Sequence, residues 1–378
     1  MRGEGEEFDR LALQLFRIQY DNAPAYRAFC DSQAVHPDSI QSWMRIPVVP
    51  TSAFKELELT TISPGERTTV FCSSGTTERR PSRHFHHAQS LAIYEASLLT
   101  WASVNLLLND ATLIFLTPDA EHAPHSSLVH MFHAISRFKG VRRATFVGTP
   151  NSDGSWQIDS DRTVALLKAC ESTNEPVGVL GTAFNFVHLI DALDAEGLRL
   201  SLPLRSWALE TGGYKGRSRT MPKSELHALI GGLFGLPLDH VVTEYGMCEL
   251  SSQAYDTSLL RQSSDRIFRF PPWARPVVVS PETSHEVKDG EIGLLRVYDL
   301  ANLYSVMAIE TQDLARRRGS DFDLIGRAEL AEPRGCSLMT PGSPCTTRLL
   351  IARARSSWLP SSTALPMSIR SRCCPFTF

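Results

Sequence analysis

Between residues 90 and 246 the chain alternates short apolar runs with stretches of helical periodicity, and this alternation narrows the fold more than any other feature. Ser90–Leu108 (SLAIYEASLLTWASVNLLL) carries a helix pattern, and ATLIFLT (111–117) is a continuous apolar run ended by Pro118. Asp161–Cys170 again reads as helix, PVGVLGT (176–182) as strand and Phe184–Leu193 as helix. LRSWALET (204–211) follows as strand, Pro222–Phe234 as helix and DHVVTEYG (239–246) as strand. A βαβ rhythm of this kind predicts a largely parallel sheet in an α/β fold.

Outside that region the pattern changes. Phe8–Cys30 has helical spacing (Leu11, Leu15, Ile18) and ends in a Pro-containing stretch, after which MRIPVVPTSAFK reads as extended. Beyond residue 270, ARPVVVS, GEIGLLRVYDL and SVMAIETQDL are short strands with turn residues and no helix between them. They predict a small antiparallel sub-sheet or a small barrel. After Glu332 there is no Asp or Glu in 46 residues, and Ser, Pro and Arg dominate. A disordered tail, or a frameshifted or read-through end, is expected there, with a solvated basic tail as the alternative.

With 378 residues the chain can bury a sizeable core without staples. A formal net charge of -3 predicts neither a nucleic-acid nor an anionic-membrane surface. The acidic N-terminus lacks a signal-peptide pattern, and no run approaches the ~18 apolar residues of a membrane span, so a cytoplasmic location is the expectation. The eight cysteines form no CxxC pair, which points away from a zinc site or a disulfide framework. The histidines of RHFHH (83–87) fit no zinc spacing and are expected to be structural.

The chemistry concentrates in a few polar stretches. In FCSSGTTERRPSRH (71–84), Ser73, Ser74, Gly75, Thr76 and Thr77 supply many donors, and Gly75 lets the backbone approach an anion. A polar turn is the alternative, and the loop is not a Walker A motif. Ligands of open α/β sheets bind beyond the carboxyl ends of the strands. Three predicted strands end in GTAFN (181–185), ETGGYKGR (210–217) and EYGMCE (244–249). Lys215 and Arg217, beside Gly212, Gly213 and Gly216, suit a phosphate contact. Glu249 suits a nucleotide-borne magnesium, Asp313 in ETQDL two ribose hydroxyls, and Arg327 in LIGRAE ribose or phosphate. Each of these could equally be a plain turn or a solvated side chain. Cys72 reads as a packed small hydrophobe; Cys336, flanked by Arg334, is a thiol whose thiolate fraction a neighbouring cation would raise.

Taken in order, IPVVPTSAFKE, SSGTT…PSRH, LETGGYKGR, EYGMCELSSQAY, TQDL, GRAE and RGCSL resemble the adenylate-forming ligases, and more closely the acyl-protein synthetase (LuxE-type) family. The resemblance spans roughly residues 45 to 338. It implies an adenylate-forming-enzyme-like α/β fold: a core over residues 1–270, an antiparallel β subdomain over 271–335 that completes the nucleotide site, and a short C-terminal segment, 336–378. It also implies ATP-dependent activation of a long-chain fatty acid with magnesium, transfer of the acyl group to a protein cysteine, and a fatty acid reductase as partner. The residues that match the family's blocks then take roles. Ser73–Thr77 would hold the β- and γ-phosphates, and Gly212 and Gly213 would flank the adenine with Tyr245 and Gly246 close by. Glu249 would hold magnesium, Asp313 the ribose and Arg327 ribose or phosphate, Lys215 would counter charge on the adenylate, and Cys336 would receive the acyl group. Gln312 and Cys248 stand where Glu and Thr are usual. No lysine follows Lys288, so the chain lacks the lysine-bearing domain of coenzyme A ligases. An aryl or acyl coenzyme A ligase of the phenylacetate type, or a nucleotide-binding relative without turnover, are the alternative implications.

Overall fold

The computed structural model of the chain describes residues 2–73, 80–151, 156–212, 221–263 and 265–327. Its helices are α1 (Arg2–Asn22), α2 (Pro24–Ser32), α3 (Ala53–Glu56), α4 (Ala88–Asn105), α5 (Ser127–Ser136), α6 (Ser160–Ser172), α7 (Ala183–Ala195) and α8 (Lys223–Phe234), with a further short turn of helix after Thr257. The strands of the first half are β1 (Val49–Pro50), β2 (Thr69–Cys72), β3 (Arg83–His86), β4 (Ala111–Phe115), β5 (Val141–Phe146), β6 (Gly148–Pro150), β7 (Trp156–Ile158) and β8 (Val177–Thr182). Those of the second are β9 (Trp207–Thr211), β10 (Val241–Tyr245), β11 (Ala254–Asp256), β12 (Phe268–Arg269), β13 (Ala274–Val279), β14 (Ile292–Asp299), β15 (Ala308–Arg318) and β16 (Asp321–Arg327).

The apolar runs form the parallel half of one large sheet, in the order β5-β4-β8-β9-β10. Side chains alternate across a strand, and here both faces are covered. Leu113, Phe115, Leu180, Leu209 and Val242 face Tyr94, Leu98, Phe132 and Ile135 of α4 and α5. Ile114, Val179, Ala208 and Val241 face Leu167, Phe186, Leu226 and Ile230 of α6, α7 and α8. Burial on both faces is why the inner strands β4 and β8 read as mostly apolar runs.

Helix starts follow local capping. The Thr182 and Asn185 side chains form a capping box on α7, Asp159 caps α6, and His87 with Ser90 caps α4. The single N-terminal helix expected over Phe8–Cys30 is two helices. Pro24 has no N–H to donate, and Ala23 before it is extended at φ -112° and ψ 94°, as a residue preceding proline tends to be.

The strands beyond residue 270 pair antiparallel, β13-β14-β15-β16-β12. They continue the parallel half through β11, which runs antiparallel to β10, so hydrogen bonding crosses residue 270 without a break. β1 adds in parallel to β15, and α1 and α2 pack on this end in a cluster that includes Phe16, Tyr26, Phe54, Val297 and Ile309. Two hairpins stand apart from the sheet, β2–β3 and β6–β7. Among the described residues no helix is long and apolar enough to cross a membrane.

Candidate active site

The parallel strands end together: Thr182 of β8 pairs with Thr211 of β9, and Thr211 with Glu244 of β10. The connections that leave these ends carry the polar stretches singled out in the sequence. Ser74, Gly75, Thr76, Thr77, Gly213, Lys215, Gly216, Arg217 and Cys336 lie outside the described residues. Ser73 closes the mouth of the β2–β3 hairpin, the connection that carries SSGTT. Its N–H donates to the Ser82 carbonyl at 3.1 Å, and its Oγ accepts from the Ser82 N–H at 2.9 Å. Gly212 follows β9 with φ +69°, a conformation that glycine adopts without cost.

Tyr245, Asp313 and Arg327 come together from three strands. The Tyr245 hydroxyl donates to Asp313 Oδ2 at 2.8 Å, and Arg327 Nε lies 3.7 Å from Asp313 Oδ1. The β15–β16 register sets Arg327 directly opposite Asp313, and the Asp313 N–H is anchored on Thr311 Oγ1 at 3.1 Å. The Tyr245 ring is held edge-on by Phe268, Phe270 and Phe322. Burial pushes the Asp313 carboxyl above the usual carboxylate range, against the pull of the Tyr245 hydrogen bond and of Arg327. Burial and the neighbouring Asp313 keep Tyr245 neutral. Each carboxylate oxygen has a second lone pair, so Asp313 can accept two further hydroxyls, while Arg327, 80% exposed, stands at the solvent side.

Glu249 is buried in the loop after β10 and accepts a hydrogen bond from the Cys248 thiol at 3.3 Å. Its loop is pinned from below. Asp299 Oδ2 accepts from the N–H groups of Ser251 and Ser252 at 2.9 and 2.8 Å. Asn302 Nδ2 donates to the Glu249 carbonyl at 2.9 Å, and the Asn302 carbonyl is held by Gln19 of α1 at 2.7 Å. Among the described residues no three His, Cys, Asp or Glu side chains converge as a metal cage. The buried Glu249 carboxylate is a hard-oxygen donor, the ligand type that a nucleotide-borne magnesium takes from a protein.

Two further carboxylates at the strand ends had no role in the sequence reading. Glu244 is buried on the α4 side of the sheet, accepts a hydrogen bond from the Thr211 hydroxyl, and is pushed up by burial to about 7. A Cβ on Gly246 would meet Glu244 Oε1, so an alanine there requires the Glu244 carboxyl to shift from its place beside Thr211. Glu210, wholly buried on the α8 side, has Lys223 Nζ and His227 Nε2 each 3.4 Å from its Oε2. Burial drives Glu210 upward, but Lys223 and His227 outweigh it, and the carboxyl ends below its ordinary value. Two histidines of the RHFHH stretch are interior as well: His84 Nδ1 is 2.8 Å from the Cys248 carbonyl, and His86 packs against Phe71.

The chain is 23% identical over 349 residues to the long-chain-fatty-acid–luciferin-component ligase of Aliivibrio fischeri, covering 87% of this chain and 86% of that protein. It is 22% identical over 347 residues, with the same coverage, to the ligase of the same name from Vibrio harveyi. Among solved structures, 2-hydroxyisobutyryl-CoA ligase in complex with 2-HIB-AMP and CoA superposes with a TM-score of 0.60 at 16% identity, over 84% of this chain and 73% of that one. That likeness establishes the adenylate-forming fold. The profile of the acyl-protein synthetase, LuxE, family matches residues 4–341, and the chain belongs to that family, an AMP-forming ligase by descent as well as by fold.

Proposed function

We propose that the protein activates a long-chain fatty acid with ATP and magnesium and passes the acyl group to a protein thiol, Cys336, from which a reductase partner with its own hydride donor releases the aldehyde. The observation that carries this reading is the Tyr245–Asp313–Arg327 constellation at the carboxyl edge of the sheet, because it offers a buried carboxylate with spare lone pairs beside an aromatic ring and a cation. That combination suits a ribose and its purine. The named substrate of the Aliivibrio and Vibrio relatives gives the acid its class.

In the first step a carboxylate oxygen of the fatty acid attacks the α-phosphorus, the bond to the bridging oxygen breaks, and pyrophosphate leaves with the electron pair. Neither reactant needs a strong base, so the protein's task is placement and charge compensation. Asp313 would orient the ribose through its two oxygens, and Arg327 would meet the negative charge at the solvent side. The hairpin loop closed by Ser73 and Ser82 would receive the β- and γ-phosphates on Ser74–Thr77. Glu249, fixed through Asn302 and Asp299, would hold a magnesium that supplies charge neutralisation on the phosphates when bound. In the second step the Cys336 thiolate attacks the acyl carbonyl carbon, a C–S bond forms, and the C–O bond to AMP breaks. The thiol proton goes to solvent.

The test is pyrophosphate release over a panel of carboxylic acids, with and without coenzyme A, coupled to labelling with radioactive fatty acid. Acid-dependent release with hydroxylamine-sensitive label on the protein, absent in Cys336→Ser, is expected. Label that persists in that variant removes the role of Cys336, and consumption of coenzyme A would redirect the reading to a coenzyme A ligase.

A further inference from the structure

Lys223 is placed where helix physics disfavours it. It is the first residue of α8, and a cation at a helix N-terminus opposes the helix dipole. What keeps it there is Glu210, whose Oε2 lies 3.4 Å from Nζ while the rest of the carboxyl is sealed from solvent. Glu210 Oε1 has no hydrogen-bond partner among the described residues, and Glu210 is 0% exposed. A buried carboxylate that pairs with one face of an ammonium and leaves an oxygen unsatisfied is an expensive arrangement for stability alone.

Strand alternation shows what Lys223 faces. Glu210 pairs in register with Thr243, and the Thr243 hydroxyl lies 3.5 Å from His227 of α8, so both residues point to the α8 side. Tyr245, two residues on, projects to that same side, and Tyr245 carries Asp313 on its hydroxyl at 2.8 Å. Lys223 is therefore on the nucleotide side of the sheet, at its carboxyl edge, and 45% of its side chain remains open to solvent. Its charge is felt there: after burial and the Tyr245 and Arg327 contacts, Lys223 is a further influence that draws Asp313 down.

Resting on the adenylating reading above, we infer that Lys223, braced by Glu210, is a nucleotide-positioning cation that meets the α-phosphate of a bound adenine nucleotide. An ammonium has three donors and no acceptor, so Glu210 can take one while the others address a phosphate oxygen. The brace fixes the long side chain before the ligand arrives, which lowers the entropy lost on binding. His227, one turn further along α8, approaches the same Glu210 oxygen and completes the support.

The wild-type full chain, Lys223→Met and Lys223→Arg are titrated by calorimetry with adenosine, AMP and ATP. Lys223→Met should weaken AMP and ATP about tenfold or more, the scale of one lost charge-assisted contact. Adenosine should stay within about twofold, and Lys223→Arg should recover most of the loss. Should Lys223→Met fail to fold because Glu210 is left bare, the pair Lys223→Met with Glu210→Gln removes that charge and takes the same titrations. AMP and ATP affinities within about twofold of wild type would overturn the inference, as would an equal loss for all three ligands, since a lysine that only braces the fold cannot tell nucleoside from nucleotide. Wild-type protein that binds neither AMP nor ATP would bring down the adenylating reading and this one together, whereas normal wild-type binding with an unaffected variant brings down this one alone.

Discussion

Glu244 should make the protein lose stability as the pH rises through the range where its carboxyl ionises. The usual value of 4.5 is raised to about 7, first by burial and then by the charge of Glu210, with the Thr211 hydrogen bond and Lys223 acting the other way. Tyr94 and Tyr255, both raised in part by Glu244, are the groups on its α4 side. Because the folded state holds the proton more tightly than the unfolded chain, nothing is lost below about pH 4.5. Stability then falls by about 1.4 kcal/mol per pH unit and levels off above about pH 7. A shift of roughly 2.5 units makes the total about 3 kcal/mol. Glu244→Gln keeps an acceptor for the Thr211 hydroxyl but cannot ionise. Urea unfolding of wild type and variant at pH 5, 6, 7 and 8 should show near-equal stabilities at pH 5 and the variant ahead by up to about 3 kcal/mol at pH 8. A difference between the two proteins that stays flat from pH 5 to 8 would refute the assignment of a neutral Glu244, because every other titrating group cancels in the comparison.

Other substitutions read the rest of the site. Gly246→Ala places a methyl against Glu244 Oε1 and should cost about 1–3 kcal/mol in denaturant melts. Tyr245→Phe removes a hydrogen bond to a carboxylate, should cost about 1.5–3 kcal/mol, and should move Asp313 further up, a change that NMR titration of the aspartate carboxyl would show. Arg327→Ala, with its guanidinium largely in solvent, should leave the melting temperature nearly unchanged while raising KM for ATP severalfold in pyrophosphate-release assays. Asn302→Ala frees the Glu249 carbonyl and the Ser251 hydroxyl. It should destabilise by about 1–3 kcal/mol and raise the magnesium concentration needed for half-maximal release.

What the sequence made legible follows from where each element is buried. β4, β8, β9 and β10 are covered on both faces, so β4 and β8 are mostly apolar throughout and β9 and β10 open on apolar residues before their carboxylates. β5 is the sheet's outer strand, and its VRRATF carries two exposed arginines, so no such run marks it. α5 starts behind a His- and Pro-rich loop on a Ser126 cap, and its Leu-Val-His-Met-Phe core is too short to show periodicity unaided. The β2–β3 hairpin hides because the loop between its strands reads as a motif, which draws the eye from the alternation on either side.

The site divides along the same line. Asp313 and Arg327 were visible as chemistry because each stands among polar neighbours; Arg327 ends β16, whereas β15 runs on past ETQDL to Arg318 and leaves Asp313 in mid-strand, where the antiparallel register brings the two together. Glu210 and Glu244 were equally present, each at the edge of a quoted motif, but a carboxylate inside a strand reads as solvent-facing until its partner is known. Those partners sit far away in sequence: Lys223 and His227 lie in the next helix, and Thr211 lies on the neighbouring strand. A buried charge is tolerable only when paired, so the pairing is a property of the register between β9 and β10 and of the exact start of α8. Local pattern contains neither. The two acids then take opposite protonation tendencies, Glu210 held down by Lys223 and the neighbouring His227 and Glu244 pushed up by its burial, although they sit on adjacent strands. One residue of strand alternation separates them onto different faces, which is enough to give one an ammonium and the other only a hydroxyl. That single step of register decides which face of the sheet carries the Lys223 ammonium at the strand ends.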